Sequence, residues 1–81
     1  MTHLADYLVG RLTSLEYAIR QSITVREDQE DAASPEHLEE AASCGVHVER
    51  DMSKGDLLGA VQTLARATRA RQTTAPGQSH D

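Results

Sequence analysis

Cys44, His47 and His37 are the residues of this 81-residue chain whose types and spacing could do chemistry. Cys44-Gly45-Val46-His47 has the Cys-x2-His spacing of half a zinc site, and His37 lies seven residues earlier. A structural zinc needs four ligands, usually in two close pairs. No second cysteine exists, and the remaining histidines, His3 and His80, lie near the two chain ends. A Cys44–His47 nucleophile pair lacks an orienting third group and an oxyanion-hole motif. Cysteine at the end of a helix is also poorly placed for thiolate stabilisation, which favours helix N-termini. The simpler reading is a junction between elements: Gly45 as a left-handed C-terminal cap, Cys44 as a small buried residue, Val46 and Val48 facing inward.

Other catalytic patterns are missing. The sequence has no Gly-rich phosphate loop, no HExxH, no GxSxG and no calcium-loop pattern. Glu39-Glu40 and Glu27-Asp28 are adjacent and do not face each other as acid–base carboxylates must. The expectation is a non-enzymatic protein with no cofactor.

The elements around these residues read as all-α. Leu4, Leu8, Leu12, Leu15, Ile19 and Ile23 recur three or four apart and predict one long amphipathic helix over about residues 3–30, with Thr2 as N-cap. Ser34-Pro35 has the order of an N-cap followed by a first-turn proline, and starts a short helix over 35–44 with Leu38, Ala41 and Ala42 as its apolar contacts. Ser53 and Asp56, three apart, form a variant capping box. They open a medium helix over about 54–72 with Leu57, Leu58, Val61, Leu64, Ala65 and Thr68 on one face. Residues 1–72 thus predict a single small helical bundle, and the polar residues 73–81 a disordered tail.

Two features of this layout suggest partners. A first helix of about 28 residues would be ~42 Å long, half as long again as the third. Part of its stripe, Leu8, Leu12, Leu15, Ile19 and Ile23, would then stay open unless another chain covered it. Arg11 lies inside the apolar arc. Its stem could pack on the core edge with its head in water, or it could pair with a carboxylate from residues 27–40 across a helix interface. A short chain buries little surface, and one cysteine cannot form an internal disulfide. A homodimer is therefore expected, held through helix 1.

Charge is unevenly placed within the net −5. Residues 27–49 carry Glu27, Asp28, Glu30, Asp31, Glu36, Glu39, Glu40 and Glu49 with no lysine or arginine. This segment is either a solvated face or an anionic docking surface for a basic partner. The expected function is a protein–protein interaction module, an adaptor, regulator or inhibitor. Its contact residues are Leu8, Arg11, Leu12, Leu15, Ile19, Ile23, Glu27, Asp28, Glu30, Asp31, Glu39 and Glu40.

An alternative is a small nucleic-acid-binding transcriptional regulator using Arg50, Lys54, Arg66 and Arg69. Leu38, Gly45, Val46, Ser53, Lys54, Leu57, Leu58 and Val61 follow the order helix, Gly turn, extended link, helix. This order resembles the helix–extended-loop–helix modules of SAP-type and Rho N-terminal domains, and the resemblance implies nucleic-acid binding. The basic residues expected near the link are sparse, since Arg50 and Lys54 stand among Glu49, Asp51 and Asp56. Trp and Phe are absent, which leaves only Tyr7 and Tyr17 as stacking platforms for single strands. No run reaches the ~18 apolar residues of a membrane span, and the N-terminus lacks the basic-then-apolar order of a signal peptide. With the lone thiol, this predicts a cytoplasmic protein with no membrane partner.

Overall fold

A computed structural model describes residues 3–73, with side chains from 6 to 71. Its helices are α1 (His3–Gln21), α2 (Pro35–Ser43) and α3 (Lys54–Thr73), with a 3₁₀ turn at Arg26–Glu30 between α1 and α2. The fold is a small all-α bundle. The Thr2 cap, the Leu4 side chain and the tail from residue 74 lie outside the described residues, and Thr73 still belongs to α3.

Helix α1 ends at Gln21, nine residues before the predicted end. Ser22, Ile23, Thr24 and Val25 carry the reason. Three of the four are β-branched, and the hydroxyls of Ser22 and Thr24 compete for the backbone bonds that would continue a helix. Ser22 Oγ donates to the carbonyl of Ile19 (2.6 Å), and its N–H is shared between the Ala18 and Ile19 carbonyls. The Ser22 carbonyl accepts from Lys54 Nζ at 2.9 Å, so the first residue of α3 closes the end of α1. The chain then reverses through a carboxylate-centred turn. Asp28 Oδ2 accepts from the Thr24 hydroxyl (2.7 Å), the Thr24 N–H (3.0 Å) and the Val25 N–H (3.1 Å). These bonds, the Thr24 hydroxyl first and the Val25 N–H next, hold the Asp28 pKa below its ordinary value against desolvation.

Shortening α1 changes the packing argument. Nineteen residues of α1 and twenty of α3 give two helices of about 28 and 30 Å. They run antiparallel over their lengths: Arg69 reaches Thr13, Gln62 reaches Glu16, and Lys54 reaches Ser22. The stripe predicted to remain open is covered within the chain. Leu12, Leu15 and Ile19 are buried with Leu57, Val61 and Ala65 of α3, and Leu8 and Ile23 are half-buried against this core. Within the chain, α3 thus covers Leu12, Leu15 and Ile19 fully and Leu8 and Ile23 in part, where the predicted longer helix would have left them open.

Helix α2 closes the core with Ala41 and Cys44, and Leu38 packs at its edge. Its start is set by Ser34, whose Oγ accepts from the Glu36 N–H, with Pro35 in the first turn. Its end is a Schellman motif. The Gly45 N–H donates to the Ala42 carbonyl (3.0 Å) and the Val46 N–H to the Ala41 carbonyl (2.9 Å), with Gly45 at φ +96°. Val46 is buried, so the motif also turns the link inward. Ser53 then caps α3 by accepting from the Asp56 N–H at 3.1 Å. Two backbone bonds, Ala33 N–H to Met52 and Lys54 N–H to Asp31, clip the entry to α2 beside the start of α3. Thr68, the buried polar side chain of α3, is satisfied by donating to the Leu64 carbonyl.

Candidate interaction surfaces

Arg11 is where α1 and α2 are held together. It projects from the flank of the α1 stripe, and α2 passes beside it with Glu40 and Ser43 one turn apart. Nε donates to Glu40 Oε2 at 3.1 Å, and the terminal nitrogen bonds both Glu40 and Ser43 Oγ, the latter at 2.8 Å. Its guanidinium lies 5.8 Å from the centre of the Tyr7 ring, within cation–π reach. The bond to Glu40 raises the Arg11 pKa above its ordinary value, against desolvation. Of the two readings of Arg11, the cross-helix ion pair is the one realised. Arg11 and Glu40 are thus fastenings of the bundle, with part of each side chain still open to water.

Above this pair lies a groove of about 630 Å³ between α1 and α2. Tyr7, Gly10, Ser14 and Ala18 form its floor, and His37 and Glu40 stand on the α2 side. Of the α1 residues that line it, Asp6 and Arg11 are charged, and Tyr7, Gly10, Ser14, Leu15 and Ala18 are not. Space over the floor is free: a side chain at Gly10 would meet nothing within 4 Å. The Tyr7, Gly10, Ser14, Ala18 spacing is visible in the sequence as an uncharged helical line beside the core stripe. It escapes notice there because small and hydroxylated residues score as neither apolar core nor charged surface.

The predicted acidic residues separate into two groups. Asp28 and Glu40 are used inside the fold, one to turn the chain after α1 and one to bind Arg11. Glu27, Glu30, Asp31 and Glu39 are exposed, as is Glu36. Among the described residues none of these five enters an ion pair. They form an acidic edge that runs from the 3₁₀ turn onto the outer face of α2.

The predicted basic set does not gather. Lys54 spends its ammonium on the Ser22 carbonyl, and Arg69 donates to Thr13 Oγ1 at 3.0 Å. Arg50 is exposed in the link, and Arg66 is exposed on α3, twelve residues or about 18 Å beyond Lys54. The metal-like trio is also dispersed. Cys44 is a buried free thiol, His37 lines the α1/α2 groove, and His47 lines a second groove of about 360 Å³ with Ala60, Leu64 and Ala67. Among the described residues no group of three or more His, Cys, Asp or Glu side chains could hold a metal ion. No described helix is long and apolar enough to cross a membrane.

Comparison with protein-family models, with curated proteins and with solved structures finds no match for this chain. The helix–link–helix order is present, but kinship with SAP-type or Rho N-terminal domains has no support beyond it.

Proposed function

We propose that this chain is a non-enzymatic interaction module that presents its acidic edge to a basic surface on another protein. The supporting observation is the run Glu27, Glu30, Asp31, Glu36 and Glu39, exposed and free of ion pairs among the described residues. Carboxylates so placed raise the rate and specificity of encounter with a cationic partner and repel anionic ones. An adaptor or inhibitor role fits this, because such a module needs a steering surface and a stable scaffold and no reactive group. The buried Cys44 thiol accords with a reducing compartment such as the cytoplasm. The nucleic-acid alternative draws less support, since Lys54 and Arg69 are turned to contacts within the bundle.

The test compares a lysine-rich peptide with a short DNA duplex, each titrated into the full chain at low and at physiological salt. The peptide is expected to bind, to weaken with salt as surface charge pairs do, and to lose its binding when Glu27, Glu30, Glu36 and Glu39 become Gln and Asp31 becomes Asn. Binding of DNA with none of the peptide would overturn the proposal.

A further inference from the structure

We infer that residues 34–51, which carry α2, form a strap that opens as one unit from an α1/α3 pair that stays folded, with Arg11 as its latch. The neck of the strap is closed independently of α2. The Ala33 N–H donates to the Met52 carbonyl at 2.9 Å and the Lys54 N–H to the Asp31 carbonyl at 2.8 Å, with Ala32 and Ser53 paired between them as an antiparallel bridge. Lys54 Nζ on the Ser22 carbonyl ties this neck to the end of α1. Both ends of the strap are therefore held together on the α1/α3 pair. The chain between them can lift without pulling either end out of place, and it recloses as a loop whose ends have already met.

The distribution of buried side chains makes this opening cheaper than global unfolding. The largest fully buried side chains, Leu12, Ile19, Leu57 and Val61, all belong to α1 and α3. The strap buries Ala41, Cys44 and Val46, which are smaller. Apolar stabilisation scales with the area removed from water, so the larger share of it stays in place when the strap lifts. On the α1 side the strap is fastened by the Arg11 guanidinium, which bonds Glu40 and, at 2.8 Å, Ser43 Oγ. The Arg11 and Glu40 side chains are 29% and 44% exposed, so water replaces these bonds at modest cost. Opening uncovers Leu38 and Cys44 on the strap, Leu15 on the α1 side of the groove, and Leu64, which lies against Gly45. The device needs no chemistry at Cys44; the thiol reports its position.

The test is native-state hydrogen exchange on the full chain, resolved amide by amide at urea concentrations below the unfolding transition, with thiol labelling of Cys44 in parallel. The amides of Leu38, Cys44 and Val46 bond within the strap, to the carbonyls of Ser34, Glu40 and Ala41. They should share one opening equilibrium, about tenfold or more favourable than that of the α1 and α3 amides and with a weaker urea dependence, because less surface is exposed. Cys44 labelling should follow the same equilibrium. Arg11→Gln and Glu40→Gln remove the latch and should each raise Cys44 labelling about three- to tenfold. Gln62→Ala removes a 3.1 Å bond from α3 to Glu16, which stands about 140° around α1 from Arg11. That bond persists when the strap lifts, so the variant should speed exchange of the α1 and α3 amides about two- to tenfold and leave Cys44 labelling unchanged.

A single equilibrium with one urea dependence for strap, α1 and α3 amides, and Cys44 labelling that rises with Gln62→Ala as much as core exchange does, would mean that the bundle opens only as a whole and would overturn the inference. Cys44 labelling unmoved by both Arg11→Gln and Glu40→Gln would overturn the latch.

Discussion

The same substitution, glycine to alanine, should move stability in opposite directions at positions 10 and 45. Gly10 lies inside α1, is exposed, and has nothing within 4 Å of where a Cβ would stand. Alanine there removes conformational freedom from the unfolded chain and adds no clash, which stabilises by about 0.8–1.0 kcal/mol. Gly45 has equally little crowding, since its nearest neighbour is Leu64 Cδ2 at 4.0 Å. Its backbone, however, sits at φ +96° to complete the Schellman bonds from Gly45 and Val46. An L-residue in the left-handed region costs roughly 1–2 kcal/mol. Sterics are thereby separated from backbone strain, and the two variants should differ by about 2–3 kcal/mol, the sum of these two terms. For a domain of this size each kcal/mol moves Tm by about 4–8 °C. Thermal and urea unfolding followed by far-ultraviolet circular dichroism would resolve the difference easily. A Gly45→Ala variant as stable as the parent would refute the cap, and with it the account of how the link turns into the core. A destabilised Gly10→Ala would mean that position 10 is enclosed and the groove floor is not open.

Leu12→Asp should unfold the chain, because Leu12 is fully buried between α1 and α3; a folded variant by circular dichroism would contradict the packing. Ile19→Ala and Leu57→Ala should each cost about 2–5 kcal/mol through the cavities they leave, read from urea midpoints. Asp28 gives a pH dependence of known sign: its folded pKa lies below its ordinary value of 3.8, so its stabilising contribution is present above that value and is lost as pH falls through the lower, folded one. Acid titration should show this limb shrink in Thr24→Ala, which removes the largest cause of the shift, and vanish in Asp28→Asn. Cys44 should react with a thiol reagent only at the rate at which the protein opens, and adding urea should raise that rate; immediate labelling of the native chain would place the thiol at the surface.

The elements with local causes are legible in the residues alone. Ser34-Pro35, Cys44-Gly45 and Ser53 start or stop a helix through side chains and backbone angles of the residues themselves, so α2 and α3 fall within a residue of where the pattern predicts. The buried face of α1 is legible too, since a period of three to four among Leu8, Leu12, Leu15 and Ile19 makes sense only on one side of a helix. The end of α1 is not. Ile23 and Val25 continue the apolar period; the Ser22 and Thr24 hydroxyls weaken the helix there, but the end is fixed by Lys54, thirty-two residues away, taking the Ser22 carbonyl, together with Asp28 folding back on Thr24 and Val25. From that one difference follow the matching lengths of α1 and α3 and a stripe that is closed where periodicity alone would leave it open.

Charge follows the same division. Which residues are acidic is a property of the sequence, and so is their concentration between 27 and 49. Whether a carboxylate faces a partner or fastens the fold depends on what lies opposite. Glu39 and Glu40 are neighbours in the chain, yet Arg11 claims only Glu40, because successive residues of a helix point about 100° apart. Sequence supplies the caps, the periodicity and the number of charges. Only the tertiary structure decides which charges are left over, because pairing across 29 residues is set by how the helices pack.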